Sequence, residues 1–207
     1  MAVFGRERRG RDRTGTPADL LVIGLGNPGE QYAGSRHNVG ARTVDVLTLR
    51  HGGRLRKSKE YSLTDQLRIG DANVAVAFPV TFMNDSGRAA SALVRRYGID
   101  DLEQMVVVHD ELDLEPGVVR VKLGGGLAGH NGLRSIRDHL HSVEFGRVRI
   151  GVGKPPGRRE GADHVLRKVS KSDREVLDIA VEQAADAVEC ILAHGYAEAM
   201  NRFNGGR

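Results

Sequence analysis

The sequence predicts an α/β fold, a three-layer sandwich on a mixed, largely parallel central sheet. Three observations carry this reading. Residues 20–25 (LLVIGL) and 105–110 (MVVVHD) are short apolar runs with little polar alternation, as expected of parallel strands buried on both faces. Stretches of helical periodicity separate the strand-like segments, which is the pattern of helices layered on a sheet. A chain of 207 residues with 40% hydrophobic content can bury a sizeable core.

The elements follow in order. Residues 20–25 form the first strand, leading into the glycine-rich GNPG. Asn38 is placed to cap a helix running to about His51, with Val39, Val46 and Leu47 among its apolar positions. Residues 61–68 and 73–78 read as two strands joined by a Gly70-Asp71 turn, the second closed by Pro79. Residues 86–97 are helical, with Ala89, Ala90, Leu93 and Val94 on one side and Gly98 as the stop. After the 105–110 strand, residues 118–123 alternate apolar and basic, so a half-exposed strand presents Arg120 and Lys122. A helix over 131–140 and a strand over 148–152 come next. The longest helix covers 172–194, with Ser172 and Glu175 placed as a capping box.

Composition narrows the function classes. No apolar stretch approaches the roughly 20 residues of a membrane span, and the basic N-terminus lacks the apolar core of a secretory signal. The single Cys190 excludes an internal disulfide and fits a reducing cytoplasm; its helical setting reads as packing. Residues 1–18 read as a disordered basic tail, leaving 19–207 as one domain. Net charge is +4, and its distribution is uneven. Residues 120–171 carry twelve Lys and Arg against four acids, whereas residues 19–119 carry eleven against fourteen. Clustered cations of this kind suit a polyanion, although a solvated surface produces such blocks too.

The motif Gly24-x-Gly26-x-x-Gly29 after a strand raises the possibility of a dinucleotide site. That site needs a helix starting inside the motif and an acid at the end of a second strand. Here Pro28 and EQYAGSRHN intervene, and Asp45 falls within a helical pattern. A second match at Gly124-x-Gly126-x-x-Gly129 shows how readily 27 glycines generate the pattern. The informative residues are polar ones at strand ends and helix starts: Asn27, His37 and Asn38, Asn84, His109 and Asp110, His130 and Asn131. Any one Asn reads equally well as a cap or turn former; together they suit one pocket. No Cys cluster, H-E-x-x-H, phosphate-binding loop or nucleophile elbow is present. The acidic run Asp110, Glu111, Asp113 and Glu115 could hold Mg²⁺, but its alternation suits a strand end and turn. A neutral His to take a proton from water, an Asp to orient it and amides to hold a carbonyl describe general-base hydrolysis without a covalent intermediate.

The strings VIGLGNPGEQYAGSRHNVG, PVTFMNDSGRAA, VVVHDELDLEPGVVRVKLGGGLAGHNGLRSI, FGRVRIGVGKPPG and AMNRFN together strongly resemble the bacterial-type peptidyl-tRNA hydrolase family. The resemblance implies a monomeric, cytoplasmic α/β enzyme, phosphorylase/hydrolase-like in fold. It implies hydrolysis of the ester joining a peptide to the 3′ end of tRNA, recycling tRNA without metal or organic cofactor. It carries His37 over as the catalytic base, Asp110 as the carboxylate orienting it and Asn27 as the group positioning water or substrate. Asn84 and Asn131 match asparagines holding the peptide main chain and terminal nucleotide, and Tyr32, Met83 and His130 match cleft-lining positions. Arg120 and Lys122 match basic positions on the tRNA side. Arg149, with Arg158 or Arg159, resembles a pair clamping the tRNA 5′-phosphate. A catalytically silent RNA-binding relative is the alternative, and retention of Asn27, His37, Asp110 and Asn131 speaks for the enzyme. Leu127 and Ala128 depart from the family's glycine loop. Leu127 is expected at the surface, and Ala128 is strained if its position requires positive φ.

Overall fold

The computed structural model describes residues 16–154 and 161–205. Seven strands form one sheet: β1 (Leu20–Gly24), β2 (Arg56–Lys57), β3 (Ser62–Ile69), β4 (Ala72–Pro79), β5 (Met105–Glu111), β6 (Val119–Leu123) and β7 (Gly146–Gly151). Their spatial order is β2-β3-β4-β1-β5-β7-β6. The central pairings β4–β1, β1–β5 and β5–β7 are parallel, and the outer ones, β2–β3, β3–β4 and β6–β7, are antiparallel. The helices are α1 (Glu30–Ala33), α2 (Val39–Arg50), α3 (Ser86–Tyr97), α4 (Asn131–Leu140), α5 (Gly161–Leu166) and α6 (Lys171–Asn204).

Strand alternation divides the core into two layers. Leu20, Val22, Val106 and Val108 face one way and pack with Val44 and Leu47 of α2 and Leu177, Ala184 and Val188 of α6. Leu21, Ile23, Met105 and Val107 face the other way, against Leu93 and Tyr97 of α3 and Leu133 and Ile136 of α4. Close approach of α2 to the sheet depends on two glycines. A Cβ on Gly24 would lie 2.2 Å from the Gly40 carbonyl oxygen, and one on Gly40 would lie 2.1 Å from that of Val108. Cys190 is buried in the α6 layer, as its helical setting implies.

Some boundaries differ from the sequence reading, each for a local reason. Strand β3 begins at Ser62 because Tyr61 takes a φ of 53°, outside the extended region. The long helix is capped by Ser170, whose side chain accepts the Asp173 N–H, so its first turn lies earlier than a Ser172 cap would place it. The helical φ/ψ run of α6 breaks at Gly195 (φ 79°), immediately after the predicted end. The segment beyond returns to the sheet. Asn204 Oδ1 accepts the Val121 N–H at 2.9 Å and its Nδ2 donates to the Val121 carbonyl at 2.8 Å, so the edge of β6 is covered. Leu127, expected at the surface, is half-buried against the Leu133 layer.

Candidate active site

The parallel strands β1 and β5 end at the same edge of the sheet, and the loops leaving them open a cleft of about 660 Å³. All eight predicted cleft residues line it: Asn27, Tyr32, His37, Met83, Asn84, Asp110, His130 and Asn131. Such a position beyond the carboxyl ends of parallel strands is where α/β sheets place ligands.

Asp110 is the electrostatic centre. Its Oδ1 accepts from His37 Nδ1 at 2.8 Å and from His130 Nε2 at 3.1 Å. Burial alone would push this carboxyl up. The facing His37 and His130 imidazoles outweigh that and hold it well below the usual carboxylate range. The tautomer of His130 is set by backbone. Its Nδ1 accepts the N–H groups of Gly132 and Leu133, at 3.1 and 3.3 Å, and so caps α4. The ring proton must therefore sit on Nε2, facing Asp110. His37 donates its Nδ1–H to the same oxygen, and its Nε2 has no partner among the described residues.

Asn27 is fixed on three sides. The Asn38 side chain accepts its N–H and donates to its C=O, both at 2.9 Å. Asn27 Oδ1 accepts the Met83 N–H at 2.8 Å. That bond assigns the amide orientation and leaves the Nδ2 protons to face the cleft. Asn38 was expected to cap α2; it makes no such bond, because its side chain is committed to Asn27. Asn84 and Asn131 are exposed in the cleft. Phe82, 61% exposed, and Leu112, Val165 and Leu166 add apolar lining that the motifs did not reveal.

His37, Asp110 and His130 each offer one ligand-capable atom, and the three lie within 4.8 Å of one another. The cap bonds to His130 Nδ1 oppose a metal there, since Nε2 must carry the proton that a metal would displace. The acidic run does not converge either: Glu111 is buried beside Arg149, whereas Asp113 is exposed and paired with Lys154 at 2.5 Å.

Next to the cleft, β6 and β7 place like charges opposite each other. Arg120 pairs in register with Arg149, and Lys122 with Arg147. Directly opposed cations destabilise a ladder unless something anionic or acceptor-rich meets them. Arg147, which sequence reasoning missed, is 1% exposed and donates to the carbonyls of Gly124, Gly125 and Gly126. Its charge is disfavoured first by burial and then by Arg149, so its pKa falls. Arg120 donates to the Phe203 carbonyl at 2.6 Å, and Arg149 lies 3.7 Å from Glu111. The loop held by Arg147 runs on to Ala128, whose φ of 47° confirms the strained position, and then to His130. Arg158 and Arg159 lie outside the described residues.

A buried carboxylate orienting an imidazole, beside a free amide on an α/β sheet edge, defines a hydrolase-type site. The peptidyl-tRNA hydrolase family model matches residues 21–207. A peptidyl-tRNA hydrolase of Frankia casuarinae is 45% identical over 184 residues, covering 89% of this chain and 93% of the relative. One from Anaeromyxobacter dehalogenans is 46% identical over 186 residues, covering 89% and 95%. The crystal structure of peptidyl-tRNA hydrolase from Acinetobacter baumannii superposes with a TM-score of 0.85 at 35% identity, covering 96% of this chain and 99% of that one. The chain belongs to the peptidyl-tRNA hydrolase family, and it is an enzyme of that activity.

Proposed function

We propose that the chain cleaves the ester between peptide and tRNA by metal-independent general-base catalysis. The observation that carries this is the His37–Asp110 bond, which commits Nδ1 and leaves Nε2 as the ring's remaining lone pair. His37 Nε2 takes a proton from water, and the resulting hydroxide attacks the ester carbonyl. Asp110 stabilises the imidazolium that forms. The free Nδ2–H of Asn27 donates to the developing oxyanion. When the tetrahedral intermediate collapses, His37 returns the proton to the leaving ribose oxygen, so the products are a peptide carboxylic acid and free tRNA.

Tyr32, Met83, Asn84, His130 and Asn131 hold the substrate around the ester, the exposed amides reading the peptide main chain or the terminal nucleotide. Lys122, Arg149 and Arg120, with Arg158 or Arg159, take the phosphates of the tRNA acceptor end, consistent with the opposed cations on β6 and β7. A single-turnover cleavage assay on peptidyl-tRNA tests the mechanism. Mutation of His37 to Ala is expected to lower the rate by about 10²- to 10⁴-fold, with tRNA binding retained.

A further inference from the structure

We infer that the groove along the β2–β3 edge is a second RNA-binding surface, taking sugar–phosphate backbone away from the catalytic cleft. It is independent of the hydrolytic mechanism proposed above.

The groove has a volume of about 600 Å³ and is lined by Arg56, Lys57, Lys59 and Arg96 among its charged groups, with Glu60 and Asp65 as the only acids. Both acids face local partners, although Glu60 Oε2 is buried without a hydrogen-bond partner among the described residues. Glu60 faces Arg96 at 3.5 Å, and the Asp65 carboxylate accepts the backbone N–H groups of Arg54 and Gln66. Arg56, Lys57 and Lys59 are exposed and have no ion-pair partner among the described residues. The cations on and just before α2 differ: Arg36, Arg42 and Arg50 are all paired with acids of α6. The local excess on β2 is therefore hidden in a segment whose overall count is acidic.

Two further features point to nucleic acid. Tyr61, next to Lys59 and Glu60 in the chain, is 41% exposed, and the Arg88 guanidinium stacks 4.0 Å from its ring centre. An aromatic ring carrying a cation beside open basic side chains is the usual equipment for bases and backbone. In addition, Gln66, on the groove wall, donates to the Thr16 carbonyl at 3.1 Å. Residues 1–15, which precede Thr16 in the sequence, carry five Arg against two acids. No groove residue lines the catalytic cleft. Strand β2 lies at the opposite edge of the seven-stranded sheet from β6, six strand spacings or about 29 Å away. One tRNA reaching both edges, or a second RNA, would supply the same phosphates.

The test measures binding of labelled deacylated tRNA, and of a short labelled single-stranded RNA, to the full-length protein between about 50 and 200 mM KCl. The triple variant Arg56→Glu, Lys57→Glu, Lys59→Glu is expected to bind about tenfold more weakly at low salt. Its slope of log affinity on log salt should be shallower by about 2. The charge-keeping triple Arg56→Lys, Lys57→Arg, Lys59→Arg should match wild type. Cleavage of a minimal substrate lacking the tRNA body should stay within about twofold. If the reversal variant fails to fold, Arg56→Gln, Lys57→Gln, Lys59→Gln is read in the same way. An unchanged slope and affinity, with self-association of the variant, overturns the inference and assigns the cations to protecting the edge strand. Displacement of RNA by oligoglutamate at lower concentration than by unlabelled RNA overturns it in favour of an acidic peptide. Loss of the binding arm with hydrolysis intact would leave the proposed catalysis untouched.

Discussion

Asn38 grips Asn27 by both main-chain polar groups, accepting its N–H and donating to its C=O at 2.9 Å each. This clasp aims the one free group of Asn27, its Nδ2, at the cleft. Mutation of Asn38 to Ala should therefore lower kcat by about 10²-fold, the effect of misplacing a catalytic group by about an ångström, with KM much less affected. Steady-state kinetics on peptidyl-tRNA check this; an unaltered kcat would show that the clasp does not position Asn27.

His130 both caps α4 and donates to Asp110. Mutation to Ala removes the cap, expected to lower stability by about 1 kcal/mol, and leaves the Asp110 carboxylate with a single imidazole. Mutation to Asn offers a cap without an Nε2–H. The Asn variant should regain the urea midpoint of wild type while its kcat stays below wild type. Equal recovery of both quantities would assign His130 to the helix alone.

His109 is buried among the core residues, donates from Nδ1 to the Asp110 carbonyl at 2.7 Å and leaves Nε2 without a partner among the described residues. Burial, reinforced by His130, lowers its pKa from 6.5 to about 3. Between those values the unfolded chain binds a proton that the folded chain does not, so stability rises with pH across the window and is complete above 6.5. Asp110 has a linkage of the same sign at lower pH: its lowered pKa contributes stability that is present above the ordinary carboxylate range and lost as pH falls below it. Urea unfolding from pH 7 to pH 4 should therefore show falling stability, and the His109→Asn variant a flatter dependence. Identical slopes would remove His109 as the cause.

Arg149 stands opposite Arg120 on the β6–β7 ladder and beside the cleft. Charge reversal to Glu should raise KM for peptidyl-tRNA about tenfold at low salt and much less at high salt, with kcat on a minimal substrate unchanged. A salt-independent effect would point to a disturbed fold instead of a lost phosphate contact.

The cleft was legible because its residues sit where the pattern of strands and helices changes. Asn27, Asp110, Asn84 and His130 each follow an apolar run or open a helix, and all line the same cavity. What stayed hidden were relationships across the chain. Asn38 looks like a cap in sequence, and only the fold brings it against the Asn27 backbone. Arg147 lies just before the strand read at 148–152, and only the fold brings it the three glycine carbonyls that make its burial tolerable. The β2 cations vanished into a block whose acids are elsewhere in the fold. Ala128 was flagged by its departure from the glycine pattern, and its φ of 47° shows why that position favours glycine.

The most direct measurement is cleavage of peptidyl-tRNA by wild type and His37→Asn side by side, in EDTA, as a function of pH. His37 as general base predicts full wild-type activity in chelator, a rate that falls toward acidic pH, and a variant slower by about 10²- to 10⁴-fold. A His37→Asn enzyme as fast as wild type, or a wild type silenced by EDTA and restored by a divalent metal, would contradict it.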